Sequence, residues 1–283
     1  MAADIPHFTF NNGIKVPAIG LGSLMGAYEM CRNALKNGYR HLDTASVYRN
    51  EEEVGKAIRE SGIPRSEIFL TTKLWNTDHN KALISDNGRD YSPGLEESPT
   101  FIETWKEMEK LLDTGKVKSI GVSNFSIKNL EILLPHVKVV PVTNQVEVHP
   151  FYPQFELQKY CEQKGILLTA YSPLGMGSPE FFKDPDFAKV VKAHNTNPGQ
   201  IAISWLVQRG IPTIPKSANV ERQKLNISLV KLTAEDVDTI NAVHKKPGQH
   251  KSLLTAFAPG GVVFGWSYKQ LGWPLDVEGN VID

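Results

Sequence analysis

Strand-like and helix-like runs alternate along almost the whole chain, and this alternation restricts the fold more than any other feature. Strand-like runs fall at 18–22, 39–43, 68–74, 117–122, 141–147, 167–171 and 213–215. Between them, apolar residues at 3.6-residue spacing mark helices at 28–37, 51–60, 101–114, 130–134, 155–164 and 200–209. Strands joined by helical crossovers predict a parallel sheet. A length of 283 residues suits one large α/β barrel or two small domains, and no Pro/Gly/Ser-rich linker divides the chain. Gly38, Gly115, Gly165 and Gly210 stand where helices would end in a left-handed cap. Ahead of the alternation, His7-Phe8-Thr9-Phe10 and Ile14-Lys15-Val16 flank Asn11-Asn12-Gly13, which predicts a hairpin capping one barrel end.

The rhythm breaks between Lys73 and Thr100. The stretch 76–99 is polar, carries Ser-Asp-Asn-Gly-Arg-Asp and Ser-Pro-Gly, and predicts a loop of 24 residues, long for a compact domain. Seven strands are visible where a closed α/β barrel ordinarily has eight. An irregular strand at 81–85 could substitute, the sheet could keep an open seam, or the chain could be an isoform or faulty gene model.

Composition narrows the partners. Hydrophobic residues make up 41% and charged residues 22%, as in a protein with a packed core. Lys plus Arg equals Asp plus Glu at 31 each, so no net field collects nucleic acid or an anionic membrane. Two cysteines, Cys31 and Cys161, are too few for a disulfide framework or a structural zinc site, and no metal site is expected. Without a basic flank and apolar core at the N-terminus, or any apolar run near 18 residues, the expectation is a soluble cytoplasmic protein.

Asp43 ends the second predicted strand, Tyr48 lies in the loop after it, and Lys73 ends the third. Each alone is an ordinary surface or capping residue. Together they occupy the C-terminal face, where α/β barrels hold their active sites. The strings Gly38-Tyr39-Arg40-His41-Leu42-Asp43-Thr44-Ala45-Ser46-Val47-Tyr48 and Ile68-Phe69-Leu70-Thr71-Thr72-Lys73-Leu74-Trp75 resemble those of the aldo-keto reductases, NADPH-dependent enzymes built on a TIM-type (β/α)8 barrel. The resemblance runs from about Pro6 to Ile240. It implies one barrel domain over 1–283 with 245–283 as a tail, missing or replacing one βα unit.

The chemistry explains the catalytic combination Asp43, Tyr48 and Lys73. A carbonyl that receives hydride develops alkoxide charge, so a proton donor must sit at its oxygen. Tyrosine is a poor acid near neutral pH; an adjacent lysine is expected to lower its pKa, and a buried carboxylate to keep that lysine charged and oriented. Tyr48 is the expected donor.

The resemblance also supplies an NADP(H) site. It assigns Ser123 and Asn124, in Val117-Lys118-Ser119-Ile120-Gly121-Val122-Ser123-Asn124-Phe125, and Gln145, in Asn144-Gln145-Val146-Glu147-Val148-His149-Pro150, to the nicotinamide carboxamide. Ala170-Tyr171-Ser172-Pro173-Leu174-Gly175 supplies Tyr171 as the ring under the nicotinamide, with Ser172 and Leu174 also in the cofactor site. Lys216 and Arg222 would pair with the 2′-phosphate, Ser217 and Asn219 would add hydrogen bonds, and Asn226 would face the adenine. Two cations near a helix N-terminus suit a dianionic phosphate on charge alone. No Rossmann fingerprint competes, since Gly20-Leu21-Gly22 lacks the third glycine.

Three departures from the family stand out. The strand ending in His-Trp-Pro is absent; His79 belongs to a loop string that is not catalytic in the family, and His149 is expected to be structural. The segment between Gly22 and Tyr28 is short, with Leu24 or Met25 where the family has a pocket tryptophan. The tail 263–274 is rich in aromatics and could close over the barrel mouth with Trp75 or pack on outer helices. The expected function is NADPH-dependent reduction of aldehydes or ketones to alcohols, in a monomer acting on a small carbonyl or alcohol. The alternative is an NADP(H)-binding regulatory or catalytically impaired homologue, and a lyase using Lys73 as a Schiff base is a more distant rival.

Overall fold

The computed structural model describes residues 5–24, 26–75, 100–177, 179–263 and 265–282. It opens with the expected antiparallel hairpin, β1 (His7–Thr9) against β2 (Lys15–Pro17). Then follow β3 (Leu21–Gly22), α1 (Ala27–Asn37), β4 (His41–Asp43), α2 (Glu51–Glu60), β5 (Phe69–Thr71), α3 (Phe101–Lys110), β6 (Val122–Ser123), α4 (Ile127–Leu133), β7 (Thr143–Glu147), α5 (Phe155–Gln163) and β8 (Leu167–Tyr171). Helices α6 (Pro179–Phe182), α7 (Pro185–Ala193), α8 (Pro198–Gln208), α9 (Val220–Asn226) and α10 (Ala234–Ala242) come next. The tail holds the hairpin β9 (Val262–Val263) and β10 (Trp266–Ser267) and the short helix α11 (Tyr268–Leu271).

The parallel strands form two blocks, β3-β4-β5 and β6-β7-β8. Thr213 joins them by parallel bridges to Ile19 and Ala170, with Gly20 N–H donating to Thr213 O at 2.9 Å and Ile214 N–H to Ala170 O at 3.0 Å. The order around the ring is therefore β6, β7, β8, Thr213, β3, β4, β5, a TIM-type α/β barrel. Among the described residues no strand pairs with the outer edge of β5 or of β6. This opening falls at the break in the sequence rhythm, and the possible strand at 81–85 lies outside the described residues. The run expected at 117–122 pairs regularly only at its end, over Val122–Ser123, because β7 is its single partner.

Residues alternate across each strand. Leu42 faces outward onto α1 and α2, in a cluster with Met30, Ala34, Val54 and Ile58, while His41 and Asp43 point inward. On β7 and β8, Val146, Leu168 and Ala170 pack against Leu130, Cys161, Ile201 and Trp205. The inner face carries Thr143 and Thr169, joined through their hydroxyls at 2.7 Å, and above them Gln145 and Tyr171. The lower end is plugged by Phe10 and Val16 of the hairpin against Val142, Phe69 and Leu167. Hydrogen bonds of the Asn11 and Asn12 side chains to Pro141 O and Lys118 O fasten that plug.

Helix ends follow the sequence signals. Gly38 takes φ 107° and donates to Ala34 O and Leu35 O, a left-handed cap that a side chain would strain. Gly115, Gly165 and Gly210 are also at positive φ. Thr100 and Glu103 form a capping box at the start of α3. Both cysteines are free and buried. Among the described residues no helix is long and apolar enough to cross a membrane.

Candidate active site

The parallel ladder between β4 and β5 continues past both strands: Thr44 N–H donates to Thr71 O at 2.9 Å and Ser46 N–H to Lys73 O at 3.1 Å. This brings Lys73 beside Asp43. The Lys73 ammonium lies 2.5 Å from Asp43 Oδ1 and also donates to Thr44 O at 2.9 Å. From across the barrel, Gln145 Nε2 donates to Asp43 Oδ2 at 2.8 Å. Asp43 is 2% exposed, so its charge is held between these donors rather than by water. A single 3-10 turn, Ser46–Tyr48, then sets the Tyr48 ring with its centre 6.0 Å from Lys73 Nζ and the residue 37% exposed. Ser23 and Asn50 brace this rim, Ser23 through Asp43 O and Asn50 through Thr44 Oγ1 and Leu24 O.

One expectation is corrected here. Lysine does not lower the Tyr48 pKa; burial, and then the Asp43 carboxylate, raise it above 10.0. The ammonium is committed to Asp43 and Thr44 O, so the phenol faces a compensated ion pair instead of a bare cation. Tyr48 therefore keeps its proton throughout the neutral range.

The second corner is built from β6, β7 and β8. Asn124 adopts φ 60°, and its N–H donates to Gln145 O at 3.0 Å, as does Ser123 Oγ at 2.9 Å. Tyr171 donates its hydroxyl to Asn124 Oδ1 at 2.8 Å. Burial, with Glu147 next, holds the Tyr171 phenol well above the ordinary value. Ser123, Asn124, Gln145 and Tyr171 thus converge on the rim beside Asp43.

The third corner follows Thr213. Lys216 stands next to Gly22, whose N–H donates to Pro215 O at 3.2 Å. Lys216 and Arg222 are exposed, and neither has an ion-pair partner among the described residues. Asn219 Oδ1 caps α9 by accepting Arg222 N–H at 2.9 Å, and Ser217 Oγ accepts Asn219 N–H at 3.2 Å. Both side chains thus shape the turn that carries the cations. Because α9 is only seven residues long, the two cations carry the argument for an anion and the helix end does not. Asn226 is 5% exposed, and its amide reaches toward the buried Tyr39 hydroxyl, opposing the rise in that phenol's pKa that burial causes. Leu174, from the loop after β8, and Asn226 both lie beside Gly199 at the start of α8, linking the second corner to the third. Ser172, at φ 46°, turns that loop. These residues fit an extended dinucleotide.

A family model described as the aldo/keto reductase family matches residues 23–96 and 90–245. The chain belongs to the aldo/keto reductase family. It is 40% identical to a glycerol 2-dehydrogenase (NADP(+)) of Saccharomyces cerevisiae, with 89% of this chain and 95% of that protein covered. It is 39% identical to an aldehyde reductase of the same yeast over 84% of this chain and 90% of the relative. Among solved structures, an aldo-keto reductase from a Medee basin deep-sea metagenome library superposes with a TM-score of 0.76 at 39% identity, covering 84% of this chain and 96% of that one. The alignment to the glycerol dehydrogenase spans 295 positions, more than the 283 residues of this chain, so the relative carries residues without a counterpart here. The two pieces of the family match meet at 90–96, inside the break between Lys73 and Thr100.

In this aldo/keto reductase His149, one of the two histidines singled out in the sequence, is not placed to act beside Tyr48. His149 is fully buried with both ring nitrogens engaged: Nε2 lies 2.9 Å from Glu147 Oε1, and Nδ1 accepts Tyr152 N–H at 3.1 Å. The same Glu147 accepts Ser252 Oγ and Leu253 N–H, so the group fastens the tail. His79 lies outside the described residues. Lys73 Nζ is engaged by Asp43 Oδ1 and Thr44 O, whereas a Schiff base needs a free amine.

The aromatic tail docks on the rim, not on the outer helices alone. Ser126 at the start of α4 donates to Leu271 O at 2.7 Å, and Tyr268, Leu275 and Trp273 pack with Tyr152. Tyr268 also contributes to the field at Tyr171. Leu24, in the short segment where the family pattern has a tryptophan, is 41% exposed; Met25 and Phe264 lie outside the described residues.

Two residues of the site escaped the sequence reading. Gln223, fully buried on α9, donates to Ser217 O at 2.8 Å and to Met30 O at 3.1 Å and holds the Lys216–Arg222 turn against α1. Its spacing of three from Asn226, on one helix face, was the available signal. His41, one inward position below Asp43, touches Thr71 Oγ1 at 3.1 Å and is 2% exposed.

Proposed function

We infer that this protein is an NADP(H)-dependent reductase of small aldehydes or ketones, with Tyr48 as proton donor. The observation that carries the reading is the buried Asp43–Lys73 pair at the C-terminal rim, 2.5 Å apart, with Tyr48 beside it. Bound NADPH supplies the hydride. Ser123, Asn124 and Gln145 would hold the carboxamide, Tyr171 would lie under the ring, Ser172 and Leu174 would line the path, and Lys216, Ser217, Asn219, Arg222 and Asn226 would hold the adenosine end. As negative charge grows on the carbonyl oxygen, Tyr48 transfers its proton, because an alkoxide is a far stronger base than a phenolate. Lys73 O accepts Ser46 N–H, so the Asp43–Lys73 pair would act by fixing the turn that carries Tyr48 at the rim. The yeast relatives named for glycerol and aldehydes support small, reactive carbonyls as substrates.

Titration with NADPH, read by quenching of tryptophan fluorescence, and an aldehyde reduction assay on the same sample test this. Tyr48→Phe is expected to retain cofactor binding and lose a factor of about 10³ in turnover, the usual range for a positioned general acid. Measurable wild-type turnover left unchanged by Tyr48→Phe would remove Tyr48 from the mechanism. A second reading, cofactor binding with weak turnover, is favoured by one observation: no strand between β5 and β6, among the described residues, brings a histidine to Tyr48. Binding without reduction would select it.

The phosphate assignment has its own test. Removing one charge-assisted contact costs roughly 1.5–3 kcal/mol, or about ten- to a hundredfold in affinity. Arg222→Ala and Lys216→Met are each expected to weaken NADPH by that order and leave NADH binding unchanged. Equal losses for both cofactors would place the 2′-phosphate elsewhere.

A further inference from the structure

Resting on that reading, we propose that Gln145 is a positioning residue that couples occupancy of the nicotinamide corner to the Asp43–Lys73 pair. Gln145 belongs to both groups. Its backbone carbonyl accepts the Ser123 hydroxyl and the Asn124 N–H, which shapes the carboxamide corner. Its side chain crosses the barrel interior from β7 and donates Nε2–H to Asp43 Oδ2 at 2.8 Å, while Asp43 Oδ1 holds Lys73. Gln145 is 6% exposed, so the contact is made out of water.

The chemistry of an amide gives this contact a consequence. An ionised Asp43 only accepts, so it fixes which end of the Gln145 amide faces it. Nε2 is turned to Asp43, and Oε1 is left as an acceptor for an N–H of a bound carboxamide. The influence runs both ways, since coupling between sites is reciprocal. A carboxamide on Oε1 restrains the amide that holds Asp43, and Asp43 in turn holds the ammonium beside Tyr48. Among the described residues β5 and β6 do not pair, and this link joins β4 to β7 through the barrel interior.

A double-mutant cycle on NADPH affinity tests the coupling, with Asp43→Asn and Gln145→Glu made singly and together in the full chain. Gln145→Glu keeps an acceptor for the carboxamide but sets a carboxylate against Asp43. It is expected to weaken NADPH about tenfold or more and to lower kcat further than it raises KM. Adding Asp43→Asn supplies an amide that can donate to Glu at position 145, so the double variant is expected to regain at least about fivefold in affinity, a non-additivity typical of contacting residues. Asp43→Asn that weakens NADPH equally in the wild type and in Gln145→Glu would overturn the proposal while leaving the cofactor site intact. A wild type that binds no NADPH would overturn the functional reading and the proposal with it. Melting of each variant without cofactor reports folding. If Gln145→Glu does not fold, the same cycle with Gln145→Leu decides: strict additivity with Asp43→Asn overturns the coupling and a shortfall of fivefold or more upholds it.

Discussion

Lys73→Met is expected to destabilise the protein by about 3 kcal/mol, lowering the melting temperature by roughly 5–10 °C, and to abolish reduction. The reason lies in what the substitution leaves behind. Asp43 is 2% exposed, and without the ammonium its Oδ1 is a carboxylate oxygen in the barrel interior with no cation. Breaking a buried pair at one end ordinarily costs about 3–5 kcal/mol. The lower figure applies because the Lys73 side chain is itself 21% exposed and Gln145 still donates to Oδ2. Lys73→Met combined with Asp43→Leu removes both charges and should recover most of the stability without recovering turnover. Thermal melts of the three variants check this. A Lys73→Met protein as stable as wild type would mean that the ends of β4 and β5 do not meet as described.

Acid is expected to remove about 3 kcal/mol of stability between pH 6.5 and 4 through His41 alone. Burial pushes the His41 pKa down from 6.5 to about 4, Asp43 partly opposing and Lys73 adding to the shift. Below 6.5 the unfolded chain takes up a proton that the folded chain refuses, so protonation favours unfolding. The stability is complete above 6.5, falls as the pH drops, and falls no further from this source below about 4. The ring leaves no room to escape: a side chain added at Gly20 would come within 2.6 Å of His41 Nδ1, and Phe69 stands edge-on 4.9 Å from the ring. Urea unfolding at pH 7.5 and pH 4.5 should show the loss in wild type and a smaller one in His41→Gln. Carboxylates that titrate in the same window are common to both proteins and cancel in the comparison. Equal losses would show that His41 is protonated inside the barrel or reached by water.

The meeting of Asp43, Tyr48 and Lys73 was legible because they sit at or just past the ends of strands whose alternation and length are visible in the chain, and barrel strands present their C-terminal ends on one face. The Lys216–Arg222 turn was legible for a similar reason, local charges beside a helix start. Gln145 was legible as a rim residue of the seventh strand but not as a partner of Asp43. That contact joins residues 102 apart through the barrel interior, and no local pattern encodes which interior side chains reach each other. His41 was passed over because a histidine within a strand gives no sign of its burial. The sign of the Tyr48 shift was misjudged because it depends on what else the ammonium touches, here Asp43 and Thr44 O.

By itself, the amino-acid sequence determined the alternation of strand and helix, the hairpin plug, the glycine caps and the place of the break between Lys73 and Thr100. Each of these follows from periodicity or backbone preference acting over a few residues. Only the tertiary structure decided that Thr213 closes the ring on one side while β5 and β6 go unpaired with each other on the other. It also decided that the tail docks on the rim and that the amide of Gln145 spans the interior to Asp43. Those outcomes depend on how distant segments share space and hydrogen-bond partners once the sheet curves, and that competition is settled by the folded chain as a whole.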